Sequence, residues 1–393
     1  MAFSRGIGPT AQLSLLEQCI PSSPRGTIPS HPHPTKQVAL SLMSTPRPPL
    51  LLPGAVLHHG DALREYRGWP APTCIVVDGP YGVSGFPGDP PTVAPLAEWY
   101  APHAALWAEL ALPSTTLWFW GTELSWATVH PSLQLHGWDY RSCHIWDKGV
   151  GHIAGNVNGT SIRRFPVVTE VCVQYVRRVE LRTGGGELLP MQQWLRAEWQ
   201  RSGLPLYKTN LAAGVKNAAT RKWFTHDHLW YYPPPEAMEA LAFYATRHGK
   251  AAEHPYFSLD GETQLTAEQW TPLRAKWHHE HAVTNVWSEP AVRGAERLKL
   301  QGSKSLHSNQ KPLRLIELCI RACTDQNDVV WDPFAGLATV GVASLRLGRR
   351  YVGAEIDAEV HARACERLKQ ESTMLRTTTS TDDFDATAAS ATA

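Results

Sequence analysis

The stretch DVVWDPFAGLATVGVASLRLGRRYVGAEID, residues 328–357, constrains the fold more than any other part of this chain. An apolar, β-branched run ends at Asp332, a turn containing Gly336 follows, and an Ala/Val-rich helix starts near Thr339 and stops at Gly348. A second apolar run then ends at Glu355. Strand, helix and strand in this order imply parallel pairing, with the turn at the carboxyl end of the sheet. A glycine there lets a ligand come close to backbone, and the start of the next helix offers unpaired N–H groups. Glu355 stands 19 residues after Gly336, the spacing at which dinucleotide folds place the acid that takes ribose hydroxyls. A nucleoside-bearing cofactor is the natural reading. The glycines alone say less: Gly-x-Gly-x-x-Gly is absent, Leu337-Ala338 stand where a second close-packed glycine is expected, and Gly336 by itself suits any turn.

The alternation extends to both sides. KPLRLIELCIRAC (311–323) has apolar residues at helical spacing and AEVHARACERLKQ (358–370) closes the unit, so residues 301–371 form one half of an α/β domain. Upstream, CIVVD (74–78), TTLWFW (115–120) and VTEVCVQYV (168–176) read as strands, with a helix over 95–110 between the first two. Residues 51–180 are the other half. Residues 181–300, with GGGE and three prolines at 233–235, fit neither half and read as a module inserted between them. Residues 1–50 are rich in Pro, Ser and His without a period and read as disordered or extended; residues 372–393 read as a disordered tail.

Formal net charge is only +1. Between Arg141 and Lys222, however, 13 Lys/Arg stand against 5 Asp/Glu, which suits either a polyanion-facing surface or a plain solvated face. The seven cysteines include no CxxC, and Cys319 and Cys323 sit in an apolar-periodic stretch as buried helix residues would. An odd, scattered set points to a reducing compartment without structural zinc. The N-terminus lacks the charged-then-apolar order of a signal peptide and no uncharged apolar run reaches 18 residues, so the expected setting is a cytoplasm, with no membrane partner. THDH (225–228) and HHEH (278–281, expected near a helix end) lack HExxH spacing and read as surface or polyanion-facing histidines, with no metal expected.

Four segments in order carry a resemblance to a known family. LHHGDAL (57–63) is similar to its Gly-Asp preamble, VVDGPYG (76–82) to its Asp-Pro-Pro-Tyr catalytic tetrapeptide, HSNQKPLRLIELCIRA (307–322) to its His-Pro-x-Gln-Lys-Pro segment, and DPFAGLATVGVASLRLGRRYVGAEI (332–356) to its Asp-Pro-Phe-x-Gly-Ser-Gly-Thr-Thr segment. The family is that of the DNA amino-methyltransferases, which modify the exocyclic amine of adenine or cytosine. The tetrapeptide precedes the cofactor segment by about 250 residues, the order of the β class. The resemblance implies a Rossmann-like, circularly permuted methyltransferase sheet using S-adenosylmethionine, with a target-recognition module where residues 181–300 lie. It places the chain in the cytoplasm of a bacterial or phage-infected cell, acting on double-stranded DNA, and allows a cognate restriction endonuclease and a homodimer as partners.

By that resemblance, Asp332, Pro333, Phe334 and Gly336 form the loop around the methionine part of the cofactor. Glu355 takes the ribose hydroxyls, Ile356 packs on the adenine, Asn309, Gln310 and Lys311 lead into the first helix of the cofactor site, and Asp61 approaches the cofactor. Lys311 could equally start a helix in solvent. At the catalytic strand end, Asp78 accepts one amine N–H, the carbonyl of Gly79 or Pro80 accepts the other, and Tyr81 stacks on a flipped base. Asp at the head of the tetrapeptide leans toward adenine N6; the alternatives are cytosine N4, or a DNA-binding relative with weak catalysis. Lys148, Arg163, Arg164, Arg177, Arg178, Arg221 and Lys222 are candidates for phosphate contacts, and Trp146, Trp223, Trp230, Tyr231 and Tyr232 for either stacking or core. Three departures stand out. Gly336-Leu337-Ala338-Thr339-Val340 replaces Gly-Ser-Gly-Thr-Thr, His307-Ser308 replaces His-Pro, and Gly79 replaces Pro, which implies a looser backbone there.

Overall fold

The computed structural model describes residues 48–83, 89–152, 165–216, 219–227, 229–293, 297 and 310–390, the last thirteen of these as backbone only. β1 (Leu50–Leu52) and β2 (Ala55–His59) form a hairpin. β3 (Cys74–Val77), β4 (Thr116–Gly121), β5 (Trp138–Asp147) and β6 (Thr169–Arg177) follow. After a small two-stranded sheet of β7 (Glu180–Arg182) and β8 (Leu188–Pro190), the chain returns with β9 (Val286–Ser288), β10 (Val329–Asp332) and β11 (Arg350–Glu355). The nine-stranded sheet has the order β1-β2-β11-β10-β3-β4-β6-β5-β9. Its centre, β2 to β4, is parallel, whereas β6 runs antiparallel to both β4 and β5.

Period-two burial gives this sheet a core on each face. Cys74, Val76, Trp118 and Trp120 point to one side, and Ile75, Val77, Leu117 and Phe119 to the other. α1 (Ala62–Glu65), α2 (Leu96–Leu110) and α3 (Glu123–Leu135) cover the second face. The inserted module contributes α4 (Met191–Ser202), α5 (Leu206–Ala212), α6 (Ala219–Trp223), α7 (Pro235–His248) and α8 (Ala267–Trp270). α9 (Leu313–Cys323), α10 (Thr339–Arg346) and α11 (Ala358–Ser390) cover the first face. In α9 the buried residues Leu315, Ile316, Cys319, Ile320 and Cys323 recur every three to four positions, forming one apolar stripe against the sheet.

Connectivity fixes where a ligand can sit. From β10 the chain crosses through α10 to β11 on one side, while from β3 it crosses through α2 to β4 on the other. Crossovers that leave in opposite directions open a crevice at the carboxyl ends of β3 and β10.

Three expectations change. The module has its own core around Trp194, Trp223, Met238, Leu241, Phe257 and Trp270, but it ends before residue 286: Ile145, Trp146 and Asp147 of β5 pair with Val286, Trp287 and Ser288 of β9. The boundary at 300 is therefore late, because a tryptophan-bearing segment without strand periodicity hides an edge strand. Residues 372–390, expected as a tail, continue α11 as helix, since no Gly or Pro interrupts them. HHEH lies in irregular chain, not at a helix end, and His278 Nε2 reaches Asp325 at 3.0 Å. Residues 1–47 lie outside the described residues. Among the described residues no helix is long and apolar enough to cross a membrane, and no group of three or more His, Cys, Asp and Glu is placed to hold a metal ion.

Candidate active site

β3 ends at Val77, so Asp78, Gly79, Pro80 and Tyr81 form the lip of the strand beside β10. Position 79 is packed, not loose. A Cβ there would meet the Tyr100 hydroxyl at 2.6 Å and the Phe334 ring at 2.7 Å. Glycine admits this close approach, and the bulk of the family's proline would force Tyr100 or Phe334 aside. Tyr100 donates its hydroxyl to the Pro80 carbonyl at 3.1 Å, fixing the turn from α2.

Beneath Tyr81 lies a buried chain of alternating charges. Lys311 Nζ stands 2.8 Å from Asp78 Oδ1 and 3.5 Å from Glu170 Oε2, and its side chain is 2% exposed. Glu170, on β6, also pairs with Lys148 through Oε1. The Tyr81 hydroxyl donates to Asp78 Oδ1 at 2.9 Å and lies 3.3 Å from Glu170 Oε2. Burial pulls Lys311 toward its neutral form, but the carboxylates of Asp78 and Glu170 outweigh it and hold the amine above the ordinary lysine range. Burial likewise raises Glu170, yet Lys311 and Lys148 hold its carboxyl below the usual range. Burial, then Asp78 and Glu170, push the Tyr81 phenol well up. Tyr81 and Lys311 both meet Asp78 at Oδ1, so among the described residues Oδ2 is the oxygen left for a ligand.

One cavity joins this lip to the β10 turn: Asp78, Gln310, Lys311, Asp332, Gly336 and Thr339 are among its lining. Phe334 anchors the turn by packing into α2, 5.2 Å from the His103 ring and 5.5 Å from that of Trp99. Gly336 has φ 50°, and its N–H donates to Glu355 Oε2 at 2.8 Å. Ala338 also has positive φ, 54°, in the place where a glycine was expected. Its left-handed conformation costs about 1–2 kcal/mol relative to glycine, which its buried methyl group offsets only in part. Arg367 holds the turn from α11, donating to the Leu337 carbonyl at 2.9 Å and the Thr339 hydroxyl at 3.0 Å. Burial pushes Asp332 well above the carboxylate range, and Asp78 and Glu355 add to the shift. Burial raises Glu355 to about 7, against the backbone N–H groups of Asp357 and Gly336. Asp78 and Asp332 line the crevice, and a cation bound there would favour the ionised form of Asp332.

The remaining candidates divide. Asp61 caps α1, accepting from the Leu63 N–H at 3.0 Å, and follows Gly60, whose N–H donates to the Glu355 carbonyl at 3.0 Å. Ile356 is 65% exposed beside Glu355, Pro333 lies in the β10 turn, and Gln310 and Lys311 reach the cavity; Asn309 lies outside the described residues. Of the phosphate candidates, Lys148 is engaged by Glu170. Arg177 donates to the carbonyls of Ala108, Gly137 and Arg178, and Arg178 pairs with Asp139, so these three serve the fold. A basic count cannot separate such arginines from solvent-facing ones. Arg221 and Lys222 are exposed on α6, with Lys222 Nζ 5.9 Å from the ring of exposed Tyr231; Arg163 and Arg164 lie outside the described residues. Trp146 and Trp223 are core, while Trp230 and Tyr232 enclose Arg141 at 5.0 and 4.9 Å. Glu170 and Tyr100 escaped the sequence reading. Glu170 did leave a signal: one acid in an otherwise apolar strand needs a buried partner.

Comparison with known proteins gives the same reading of the chain. The family model for DNA methylase, N6_N4_Mtase, matches residues 73–366. Type II methyltransferase M.HinfI of Haemophilus influenzae is 38% identical over 93 residues, 24% of this chain and 26% of its own length. DNA adenine methyltransferase YhdJ of Escherichia coli (strain K12) is 35% identical over 92 residues, 23% of this chain and 30% of its own. The chain thus spans about a quarter to a third of the length of the curated relatives it matches. Among solved structures, the M1.HpyAVI-SAM complex has a TM-score of 0.43 at 17% identity, covering 80% of this chain and 98% of that one. PvuII DNA methyltransferase (cytosine-N4-specific) has a TM-score of 0.45 at 11% identity, covering 81% and 92%. With residues 73–366 matched, the chain belongs to the DNA methylase family of N6 and N4 amino-methyltransferases.

Proposed function

We propose that this chain transfers the methyl group of S-adenosylmethionine to the N6 amine of adenine in DNA. The observation that carries the reading is the shared cavity, lined both by the Asp78 carboxylate and by the backbone turn from Phe334 to Leu337. The acids around it suit a sulfonium, Glu355 suits ribose hydroxyls, and Ile356 offers an apolar face beside it. The bound cofactor supplies the electrophilic methyl group. An exocyclic amine is a poor nucleophile because its lone pair is delocalised into the ring. Asp78 Oδ2 accepts one N–H and the Gly79 carbonyl the other, since Tyr100 already occupies Pro80. This turns the nitrogen toward tetrahedral geometry and aims it at the methyl. Asp78 then takes the proton that the methylated nitrogen sheds. A paired base cannot reach the lip, so the target is flipped out of the duplex.

The test is transfer of tritium from labelled cofactor to DNA, followed by digestion to nucleosides. Label in N6-methyladenine is expected; label in N4-methylcytosine would replace the base, and no label in any DNA would overturn the reading. The surviving basic candidates give a second expected result. Arg221→Ala with Lys222→Ala should weaken binding to all duplexes alike and flatten the slope of log affinity against log salt by about 2, measured by fluorescence anisotropy.

A further inference from the structure

We infer that Glu170 is a positioning residue of this site: through Lys311 and Tyr81 it presents Asp78 with Oδ1 occupied and Oδ2 open to the substrate amine. The inference rests on the proposed methyl transfer for its kinetic meaning. Two cations, Lys311 and Lys148, and two acids, Asp78 and Glu170, alternate in one buried chain. Glu170 lies at its centre, touching both lysines and the Tyr81 hydroxyl, and its side chain is 6% exposed. Asp78, 23% exposed, and Lys311 are the members that line the cavity. Lys311 is thus shared between two acids, with the shorter contact to Asp78 and the longer to Glu170. While it is shared, Lys311 engages Asp78 at one oxygen. Without the Glu170 charge, Lys148 loses the acid it pairs with and Lys311 leans further onto Asp78. The carboxylate would then be over-neutralised and a worse acceptor, although nothing touching the cofactor turn has changed. Tyr81 would lose one of its two acceptors and become freer to rotate at the lip.

Charge balance and simple packing predict opposite outcomes in a double-mutant cycle. Glu170→Gln should lower kcat about 10- to 100-fold, with KM for cofactor and DNA within about threefold. Lys148→Met alone frees Glu170 to pull Lys311 off Asp78 and should also lower kcat. The double variant still leaves Lys311 on Asp78 without Glu170, so it should be about as slow as Glu170→Gln, within about threefold, and not slower by both factors. Losses that simply add, or a KM effect with kcat unchanged, would overturn the proposal. A second readout needs no turnover. In protein labelled with ¹⁵N-lysine, the Lys311 signal, identified by its loss in Lys311→Arg, should titrate at lower pH in Glu170→Gln than in the wild type. Equal titration would overturn the proposal even if the DNA is methylated. Absence of methylation in the wild type would instead count against the proposed function, leaving the lysine titration to decide this one.

Discussion

Asp78→Ala should lower the single-turnover rate of methyl transfer at least about 10³-fold while leaving cofactor affinity within about tenfold. The size follows from what the carboxylate does. In the proposed reaction it is, among the described residues, the charged acceptor at the strand lip with an oxygen left for the amine, and removing one preorganised polar group from a reacting centre costs about 10²–10³ in rate. Losing the acceptor for the departing proton adds to that. Asp78→Asn separates charge from shape. Its amide keeps the volume, but it must set either its NH2 against the Lys311 ammonium or the same group against the substrate amine, so both variants should fall together. The fold should survive. Lys311 keeps Glu170 as a partner, so the buried ammonium is not orphaned, and a loss of about 1–3 kcal/mol is expected from thermal unfolding. Single-turnover transfer, with cofactor binding measured by calorimetry, checks both halves. Activity within tenfold of wild type would remove Asp78 from the reaction.

How much of this was legible in the sequence depended on whether the chemistry was contiguous. The β10 turn and the β3 lip are each a handful of adjacent residues at a strand end, so Asp332, Gly336, Glu355, Asp78 and Tyr81 could be proposed from local sequence, and Asp78, Asp332 and Gly336 do line one cavity. Glu170 is 89 residues from Tyr81, and Lys311 is brought to it only when β6 and α9 pack on the same sheet. Long-range pairing of this kind leaves no local spacing. What it leaves is misfit: an acid in an apolar strand and a lysine at a helix start, each awaiting a partner. The looseness expected at Gly79 fails for the same reason, because the atoms that fill the space come from α2 and the β10 turn. Strand β5 was hidden too. Its polar residues, Asp139, Arg141 and Ser142 among them, bond to Arg178, Tyr232 and Gln174, which no alternation pattern reports.

Cofactor affinity should fall about tenfold between pH 8 and pH 6, and Glu355→Gln should abolish that dependence while weakening binding about 10²-fold. Burial raises the Glu355 carboxyl to about 7, so over this range the free protein passes from mostly ionised to mostly protonated. In the proposed cofactor complex ribose hydroxyls donate to the ionised form, so binding would lower the pKa and release a proton, and affinity would be lost as pH falls through about 7. With a free-state value near 7 and a much lower bound one, linkage gives a factor of about ten across the two units. The contribution to folding has the opposite sign. A carboxyl raised on folding adds stability below its ordinary value of 4.5, and that stability is lost as pH rises through about 7. Thermal shift by the cofactor should therefore be larger at pH 8 than at pH 6, while the free protein gains from this group on acidification. Asp332 is raised as well, and a cationic cofactor beside it would also couple to pH. Glu355→Gln tells the two apart: it removes the charge that the ribose hydroxyls need and sets an amide donor near the N–H groups of Gly336 and Asp357. Two lost charge-assisted hydrogen bonds, at about 1.5–3 kcal/mol each, support a loss of at least 10² in affinity. A tenfold pH dependence that persists in Glu355→Gln would move the titration to Asp332, and unchanged affinity would remove Glu355 from the cofactor site.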